Sequence, residues 1–326
     1  MVGASAAITR SAAPGWRPWR TGRPPIGRRG WSGSAASSSG AGPASGHRTN
    51  RCCCCCTSWV GSARPAPTRV RYAEAEADLQ ALLDEFGPPR KTSPNYPFHH
   101  LQSDGLWRVR GDDGTDPGSS VRRLRAVGTG ELDAAFARAL VVDPGLAALV
   151  ARSLLDANFP ETLHPDICAR VGLDLDVLER EATQLRLREA VRRRRDPGFR
   201  PLVLMAYEHR CAMCGYDGRL GATTVALDAA HVRWHAFDGP DYLENAVCLC
   251  TLRHKLFDLG AVGISNDRSV VVSAQFVGRG EVAGRLVTSL AGKPMLEPQR
   301  GMPLPIDDHV TWHQREVFRP PARQPA

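Results

Sequence analysis

Apolar residues recur at helical spacing over most of the first half of the chain beyond residue 70. Residues 72–86 carry them three or four positions apart, and Gly87-Pro88-Pro89 ends the pattern. The apolar positions of this segment are Leu79, Leu82, Leu83 and Phe86. Similar spacing predicts further helices at 132–140, 145–158 and 165–171, and a connecting helix over 173–195.

Beyond residue 260 the pattern changes to short β-branched or alternating runs. Residues 261–265 and 269–273 flank Asn266-Asp267-Arg268, which predicts a β-hairpin, and we expect residues 286–290 to pair with it. Helices in one part of the chain and antiparallel strands in another predict an α+β fold.

Residues 1–68 show no periodicity and consist largely of Gly, Ser, Ala, Arg, Pro and Trp, a composition that supports no core. One interpretation is a disordered basic tail. Another follows from the five consecutive cysteines at 52–56. Cys codons are TGC or TGT, so the frame that starts at each third base reads Leu at every Cys-Cys junction. This frame turns the run into a leucine-rich helix, which favours a wrong-frame translation of residues 1 to about 64. Metal binding or acylation of the cysteines are the alternatives.

The overall composition limits the class of protein. A chain of 326 residues has room for two domains and tails. The net charge of +8, from 42 Lys and Arg against 34 Asp and Glu, favours a polyanionic partner. We find no apolar run long enough for a membrane span and no apolar signal segment, so we expect a cytoplasmic protein that does not bind membranes.

The segment from 211 to 254 carries the chemistry. Cys211 and Cys214 form a Cys-x-x-Cys pair, and a further thiolate at Cys250 would contribute to a structural Zn²⁺ site. Arg253 stands where a fourth ligand is expected, but its guanidinium remains charged and cannot ligate zinc. Cys248 is the nearest substitute.

The same segment contains candidates for phosphodiester hydrolysis, which needs a base to activate water and a hard cation to stabilise charge on the phosphate. His231 is suited to be the base, because a neutral imidazole titrates near working pH. The side chains that offer oxygen or nitrogen to the cation, or that hold the base, are Asp228, Asn245 and His254.

The order His231, Asn245, His254, with a Cys pair upstream, resembles the HNH endonuclease family. The resemblance implies a treble-clef-like ββα-metal domain in which a hairpin and a helix clamp a divalent ion, Mg²⁺ or Mn²⁺. It makes His231 the base, Asp228 and His254 the ligands of the divalent ion, and Asn245 the residue that orients either the His231 loop or the metal. The alternative is a treble-clef zinc module that binds DNA without cutting it.

The N-terminal region resembles the sulfur-binding domain of phosphorothioate-dependent type IV restriction endonucleases. The phrases that carry this likeness are Tyr96-Pro97-Phe98, Asp104-Gly105-Leu106-Trp107 and Asn158-Phe159-Pro160-Glu161. The family implies binding to double-stranded DNA in which sulfur replaces a non-bridging phosphate oxygen, followed by cleavage nearby. We therefore expect a modified-DNA-reading domain of helices and strands at 69–175, a linker at 176–197 and a nuclease domain at 198–320.

Sulfur is larger and more weakly hydrated than oxygen, so an apolar cup favours it. Tyr96 and Pro97 are the candidates for that cup. The residues predicted to hold the neighbouring phosphates and bases are His99, His100, Arg108, Arg122 and Arg123. Two alternatives remain: an ordinary packed turn at 96–98, and a methylcytosine reader whose aromatic cage is built from Tyr96, Phe98 and Trp107.

The wrong-frame hypothesis predicts that no protein containing the run of five cysteines is made. Resequencing of the locus should reveal a frame change before Tyr72, and digestion of the purified natural protein should yield leucine-rich peptides upstream of it. A peptide that spans residues 52–56 as printed would refute the hypothesis.

Overall fold

The computed structural model of the protein describes residues 69–184 and 196–325. The segment proposed to be a wrong-frame translation lies outside these residues, as do residues 185–195 of the linker predicted at 176–197.

Between residues 69 and 184, the N-terminal region combines seven α-helices with a small antiparallel sheet. The strands are β1 (Arg69–Arg71), β2 (Trp107–Arg110) and β3 (Thr129–Leu132), arranged in the order β1-β3-β2. The helices are α1 (Tyr72–Phe86), α2 (Asn95–His100), α3 (Val121–Val127), α4 (Ala134–Val142), α5 (Pro144–Asn158), α6 (His164–Val171) and α7 (Leu175–Gln184).

An aromatic cluster forms the centre of this region. The rings of Tyr72 and Trp107 both pack edge-on against Phe98, at centroid distances of 5.1 and 5.5 Å. The Trp107 indole N–H donates to the backbone carbonyl of Phe98 at 2.9 Å, so the buried polar atom is satisfied. Gly130 on β3 leaves room for this indole, because a Cβ there would lie 1.9 Å from Trp107.

The C-terminal region begins with α8 (Phe199–Ala206) and a short ribbon of β4 (Arg219–Leu220) and β5 (Thr223–Thr224). The remaining elements are β6 (Leu227–His231), β7 (Ala246–Cys250), α9 (Thr251–Asp258), β8 (Val262–Ile264), β9 (Val270–Val272), α10 (Glu281–Leu286) and α11 (Asp307–Glu316). Strands β6 and β7 pair antiparallel, with His231 opposite Ala246 and Leu227 opposite Cys250. Because α9 starts directly after β7, these three elements form a ββα unit.

Side chains of the C-terminal region complete the core of the N-terminal one. Trp234 and Trp312 pack together at 5.9 Å and belong to the same buried cluster as Leu163 and Phe86. The polar contacts that accompany this packing include four between the two regions, and two of these four involve α9. They join Thr162 to Asp258, Lys255 to Asp166, Arg90 to Glu316 and Arg319 to the carbonyl of Asp84.

The mixed fold confirms the α+β class. The hairpin predicted around residues 266–268 is present as β8 and β9. The pairing expected for residues 286–290 is wrong, because Thr288–Leu290 is a 3₁₀ turn. The residues that bond to β9 lie slightly later, where Gly292 N–H donates to Val270 O and Val270 N–H donates to Lys293 O.

Within the described residues, no single helix is sufficiently long and apolar to cross a membrane. The helices Ala134–Val142 and Gly145–Asn158 are bent by 112° at their junction. Only together do they have the length and apolar composition of a membrane span.

We expect Gly130→Ala to destabilise the protein by about 1–3 kcal/mol, because the added methyl group displaces the buried Trp107 indole. Gly284→Ala is the matched control. It lies within α10, where the new Cβ meets nothing closer than 3.8 Å, so it should be neutral or stabilise by up to about 1 kcal/mol. Denaturant unfolding measures both values, and equal effects would contradict the packing.

Candidate functional site

His231 lies at the end of β6 and forms a close pair with an acidic side chain that the sequence interpretation overlooked. Its Nε2 is 2.7 Å from Oδ1 of Asp241, and both side chains are largely buried, at 9% and 12% exposed. Asp241 directly follows the phrase Phe237-Asp238-Gly239-Pro240. The only indication of this pair in the sequence was that Asp241 lies in the loop that follows His231, the proposed base.

The surroundings of this pair restrict both side chains. Phe199 of α8 stacks on the His231 ring at 4.5 Å and 22°, while the His235 ring lies 5.8 Å away, inclined at 60°. Asp241 Oδ2 accepts the backbone N–H of Asp196 at 2.7 Å. Burial raises the pKa of Asp241, but the hydrogen bonds from Asp196 and His231 outweigh it and hold the pKa below its usual range.

Asn245 is fully buried and closes the loop that joins β6 to β7. Its Oδ1 accepts the Arg233 backbone N–H at 2.7 Å, and its Nδ2 donates to the carbonyls of Arg233 and Pro240, each at 3.0 Å. Of the two roles predicted for Asn245, the contacts match the one that orients the His231 loop, since both amide hydrogens are bound to backbone.

Asp228 lies away from His231, contrary to its predicted role as a cation ligand beside the base. The two residues are three positions apart on one strand, so their side chains leave opposite faces of the sheet. The Asp228 carboxylate is paired with the Arg200 guanidinium, Nε to Oδ1, at 2.9 Å. The spacing in the sequence did not reveal this difference, because side chains alternate between faces only if both residues lie on one β-strand.

His254 is paired with a different carboxylate. On α9 its Nε2 lies 3.5 Å from Oδ2 of Asp258, one turn later, and the Asp258 side chain is only 2% exposed. Burial raises the pKa of Asp258, although His254 and the hydroxyl of Thr162 counteract that shift. His254 therefore places an imidazole nitrogen beside a buried carboxylate oxygen of Asp258.

Three cysteines predicted as zinc ligands come together. The Sγ atoms of Cys211, Cys214 and Cys250 all lie within 4.8 Å of one another, and those of Cys214 and Cys250 are 3.9 Å apart. A tetrahedral ion with bonds of roughly 2.3 Å places its sulfurs roughly 3.8 Å apart. The three thiols thus fit a structural metal ion.

Cys248, predicted as a substitute for the fourth ligand, lies outside this group. It is fully buried in β7 opposite Ala229, and burial together with the charge of Asp228 raises the pKa of its thiol to about 12. Arg253 is also buried, and its guanidinium donates to Leu286 O. Hydrogen bonds from Cys211 and Cys214, with the backbone N–H and the charge of Arg253, lower the pKa of Cys250.

Within residues 69–184 and 196–325, the three thiols are the sole group of at least three His, Cys, Asp or Glu side chains close enough to hold a metal ion. Asp228 and His254, the predicted ligands of the divalent ion, belong to no such group among these residues. HNH nucleases generally use a divalent metal, but the carboxylate beside His254 in this fold is that of Asp258.

Four of the residues predicted to read sulfur lie on α2. Tyr96 is exposed and lies parallel to the His100 ring, 6.1 Å away at 5°, whereas Pro97 is buried. His99 Nε2 lies 2.9 Å from Asp116 Oδ1. The segment is a helix rather than a packed turn, so Tyr96 and Pro97 face different directions, and of these two residues Tyr96 is the exposed one.

The arginines predicted to hold DNA phosphates lie on two other elements. Arg108 on β2 donates to Asp133 Oδ2 at 2.9 Å. Arg122 and Arg123 are exposed side by side on α3. All three therefore lie on elements other than α2, the helix that carries Tyr96.

Comparison with known proteins finds two family models that match the chain. Residues 61–176 match the model described as ScoMcrA-like, DNA sulfur-binding domain, and residues 211–265 match the model of an HNH endonuclease. These matches confirm both resemblances drawn from the sequence. No curated protein matches the chain significantly.

Two solved structures are similar to parts of the chain. The modification-dependent TagI restriction endonuclease shares 26% identity over 38% of this chain and 38% of its own, with a TM-score of 0.28. The type IV phosphorothioation-dependent restriction endonuclease ScoMcrA shares 20% identity over 46% of this chain and 31% of its own, with a TM-score of 0.32. The chain thus spans less than two fifths of either protein.

The thiol geometry predicts which cysteines hold metal. Cys211→Ala, Cys214→Ala and Cys250→Ala should each lower the metal content of the purified protein, because each removes one of three ligands. Cys248→Ala and Cys168→Ala are matched controls that should retain it. Elemental analysis per mole of protein makes the comparison, and a loss in Cys248→Ala would restore that residue as a ligand.

Proposed function

We propose that this chain, which joins a ScoMcrA-like DNA sulfur-binding domain to an HNH endonuclease domain, is a modification-dependent restriction endonuclease. It binds phosphorothioated double-stranded DNA and hydrolyses phosphodiester bonds. The observation that carries the proposal is the buried His231–Asp241 pair at the end of the ββα hairpin, next to a loop closed by Asn245.

His231 is the general base of the proposed reaction. Its neutral imidazole takes a proton from water, and the resulting hydroxide attacks the phosphorus of the DNA backbone. The bond from phosphorus to one sugar oxygen breaks in the same step, and the leaving oxygen takes up a proton from solvent. The positive charge that develops on the ring is stabilised by the Asp241 carboxylate 2.7 Å away. Asn245 contributes indirectly, because its hydrogen bonds to the backbone hold the loop between His231 and Asp241.

A divalent cation, Mg²⁺ or Mn²⁺, would stabilise negative charge on the phosphate. His254 is the predicted ligand that keeps this role, with Asp258 as the carboxylate beside it. Mg²⁺ is commonly held by one or two protein groups together with phosphate oxygens and water, so a site that DNA completes is consistent with this pair.

Zn²⁺ is the proposed structural ion at Cys211, Cys214 and Cys250, since thiolates are its preferred structural ligands. It would tie the turn at residues 211–214 to the start of α9, which carries His254. The buried positive charge of Arg253 offsets the charge of the thiolates.

The surface around α2 is the proposed reader of the modified phosphate. Tyr96 is 52% exposed and backed by His100, so it offers an apolar ring face for a weakly hydrated sulfur. Arg122 and Arg123 supply positive charge for the neighbouring phosphates. Pro97 supports the helix from within rather than forming the cup surface.

The methylcytosine alternative loses support from the fold. Its cage would need Phe98 and Trp107, but these side chains are 1% and 2% exposed and form the core of the N-terminal region. A cage of three aromatic rings open to a flipped base is therefore not formed at this position.

We expect His231→Ala to lower the cleavage rate on phosphorothioated plasmid by about 10²-fold or more, because a general base contributes on the order of 10²–10⁴. Binding to the same DNA should stay within about 2-fold of wild type, since His231 lies outside the reader. His209→Ala, on a histidine bonded to Thr224, is the control for an imidazole in the same region.

The substrate is tested with one plasmid sequence prepared in phosphorothioated, cytosine-methylated and unmodified forms, in the presence of Mn²⁺. Cleavage of the phosphorothioated form alone supports the proposal. Cleavage of the methylated form would favour an enzyme that reads methylcytosine. Binding without cleavage of any form would favour a treble-clef zinc module that binds DNA without cutting it.

A further inference from the structure

We propose that Asp241 is a positioning residue that holds the proton of neutral His231 on Nε2, so that Nδ1 is the atom that accepts the proton of water. This inference rests on the proposed function of His231 as the base and adds the residue that sets its tautomer.

Both oxygens of Asp241 have a separate donor. Oδ1 lies 2.7 Å from His231 Nε2, and Oδ2 accepts the backbone N–H of Asp196, also at 2.7 Å. An ionised carboxylate can only accept hydrogen bonds. The nitrogen that faces Asp241 must therefore carry the proton, and in a neutral imidazole this leaves the lone pair on Nδ1.

The ring and the carboxylate are both held in place. Phe199 stacks on one face of His231, which limits rotation of the ring. Asn245 binds the carbonyl of Pro240, the residue just before Asp241, and so fixes the loop that presents the carboxylate. The contribution of Asn245 to the reaction thus passes through the backbone to Asp241, which acts on the base.

The same contact favours the protonated ring after the reaction step. Once Nδ1 has taken the proton from water, the imidazolium is paired with a carboxylate in a position largely shielded from solvent, where charge pairing is stronger than in water. Asp241 therefore supports both the neutral tautomer that starts the step and the cation that ends it.

The decisive variant is Asp241→Asn, which keeps the shape but leaves one oxygen for two N–H donors. If the amide oxygen accepts the Asp196 N–H, as Oδ2 does now, the amide NH₂ faces His231 and can only donate to Nε2. The ring proton is then forced onto Nδ1, and the nitrogen that should accept a proton from water has lost its lone pair.

We expect Asp241→Asn to lower kcat on phosphorothioated DNA by on the order of 10²-fold or more. Long-range ¹H–¹⁵N spectra of histidine-labelled protein at pH 8 should show His231 change from the Nε2–H to the Nδ1–H form, with its signals assigned by their loss in His231→Ala. DNA affinity and metal content should stay within about 2-fold of wild type.

Two controls separate positioning from a merely structural role. Asp238→Asn removes the same charge three residues away, on an exposed side chain at φ 64° where Asn is well tolerated, and should leave both rate and tautomer unchanged. Asp241→Glu restores a carboxylate and should recover the Nε2–H form and at least about a tenth of the wild-type rate.

An Asp241→Asn protein that keeps the Nε2–H form and cuts within about 3-fold of wild type overturns the inference, while His231→Ala remains the test of the function. If wild-type protein cuts none of the three DNAs, the proposed function fails. The tautomers of wild type and Asp241→Asn then still decide whether Asp241 sets the proton position.

Discussion

The antiparallel pairing of β6 with β7 is the constraint on which the site depends. Its register places His231 opposite Ala246, next to Asn245, and puts Cys250 at the far end, where α9 begins. One short hairpin therefore positions the proposed base, the residue that closes its loop and the thiol that anchors the helix carrying His254. A shift by one residue would turn His231 to the other face of the sheet.

Two sets of contacts stabilise this hairpin. One is the group of three thiols, and the other is the packing of Trp234 on Trp312. Cys211 and Cys214 approach Cys250 from the turn after α8, while Trp234 in the β6–β7 loop packs on Trp312 and on the core of the N-terminal region. Asp258 on α9 bonds to Thr162 in that region. The N-terminal and C-terminal regions are therefore in direct contact at the helix that carries His254.

The carboxylates of the site show that closeness in the sequence does not decide which side chain contacts His231. Asp228 is nearer to His231 in sequence, yet it leaves the opposite face of β6 and pairs with Arg200. Asp241 is ten residues away along the chain, yet it bonds to the ring. Asp258 is buried beside His254. Each carboxylate has a different partner, and those partners come from α8, β6 and α9.

The sequence by itself determined the elements with a local cause: the helix at 72–86 from its apolar spacing, the hairpin at 262–272, the three thiols and the identity of His231 as base candidate. Local spacing is sufficient there because each signal lies within one element or one turn. Only the tertiary structure decided that Asp241 faces His231, that Cys248 stays outside the thiol group and that Gly292 and Lys293, not residues 286–290, bond to β9. These outcomes depend on strand faces, loop closure and register, which arise when distant segments pack together.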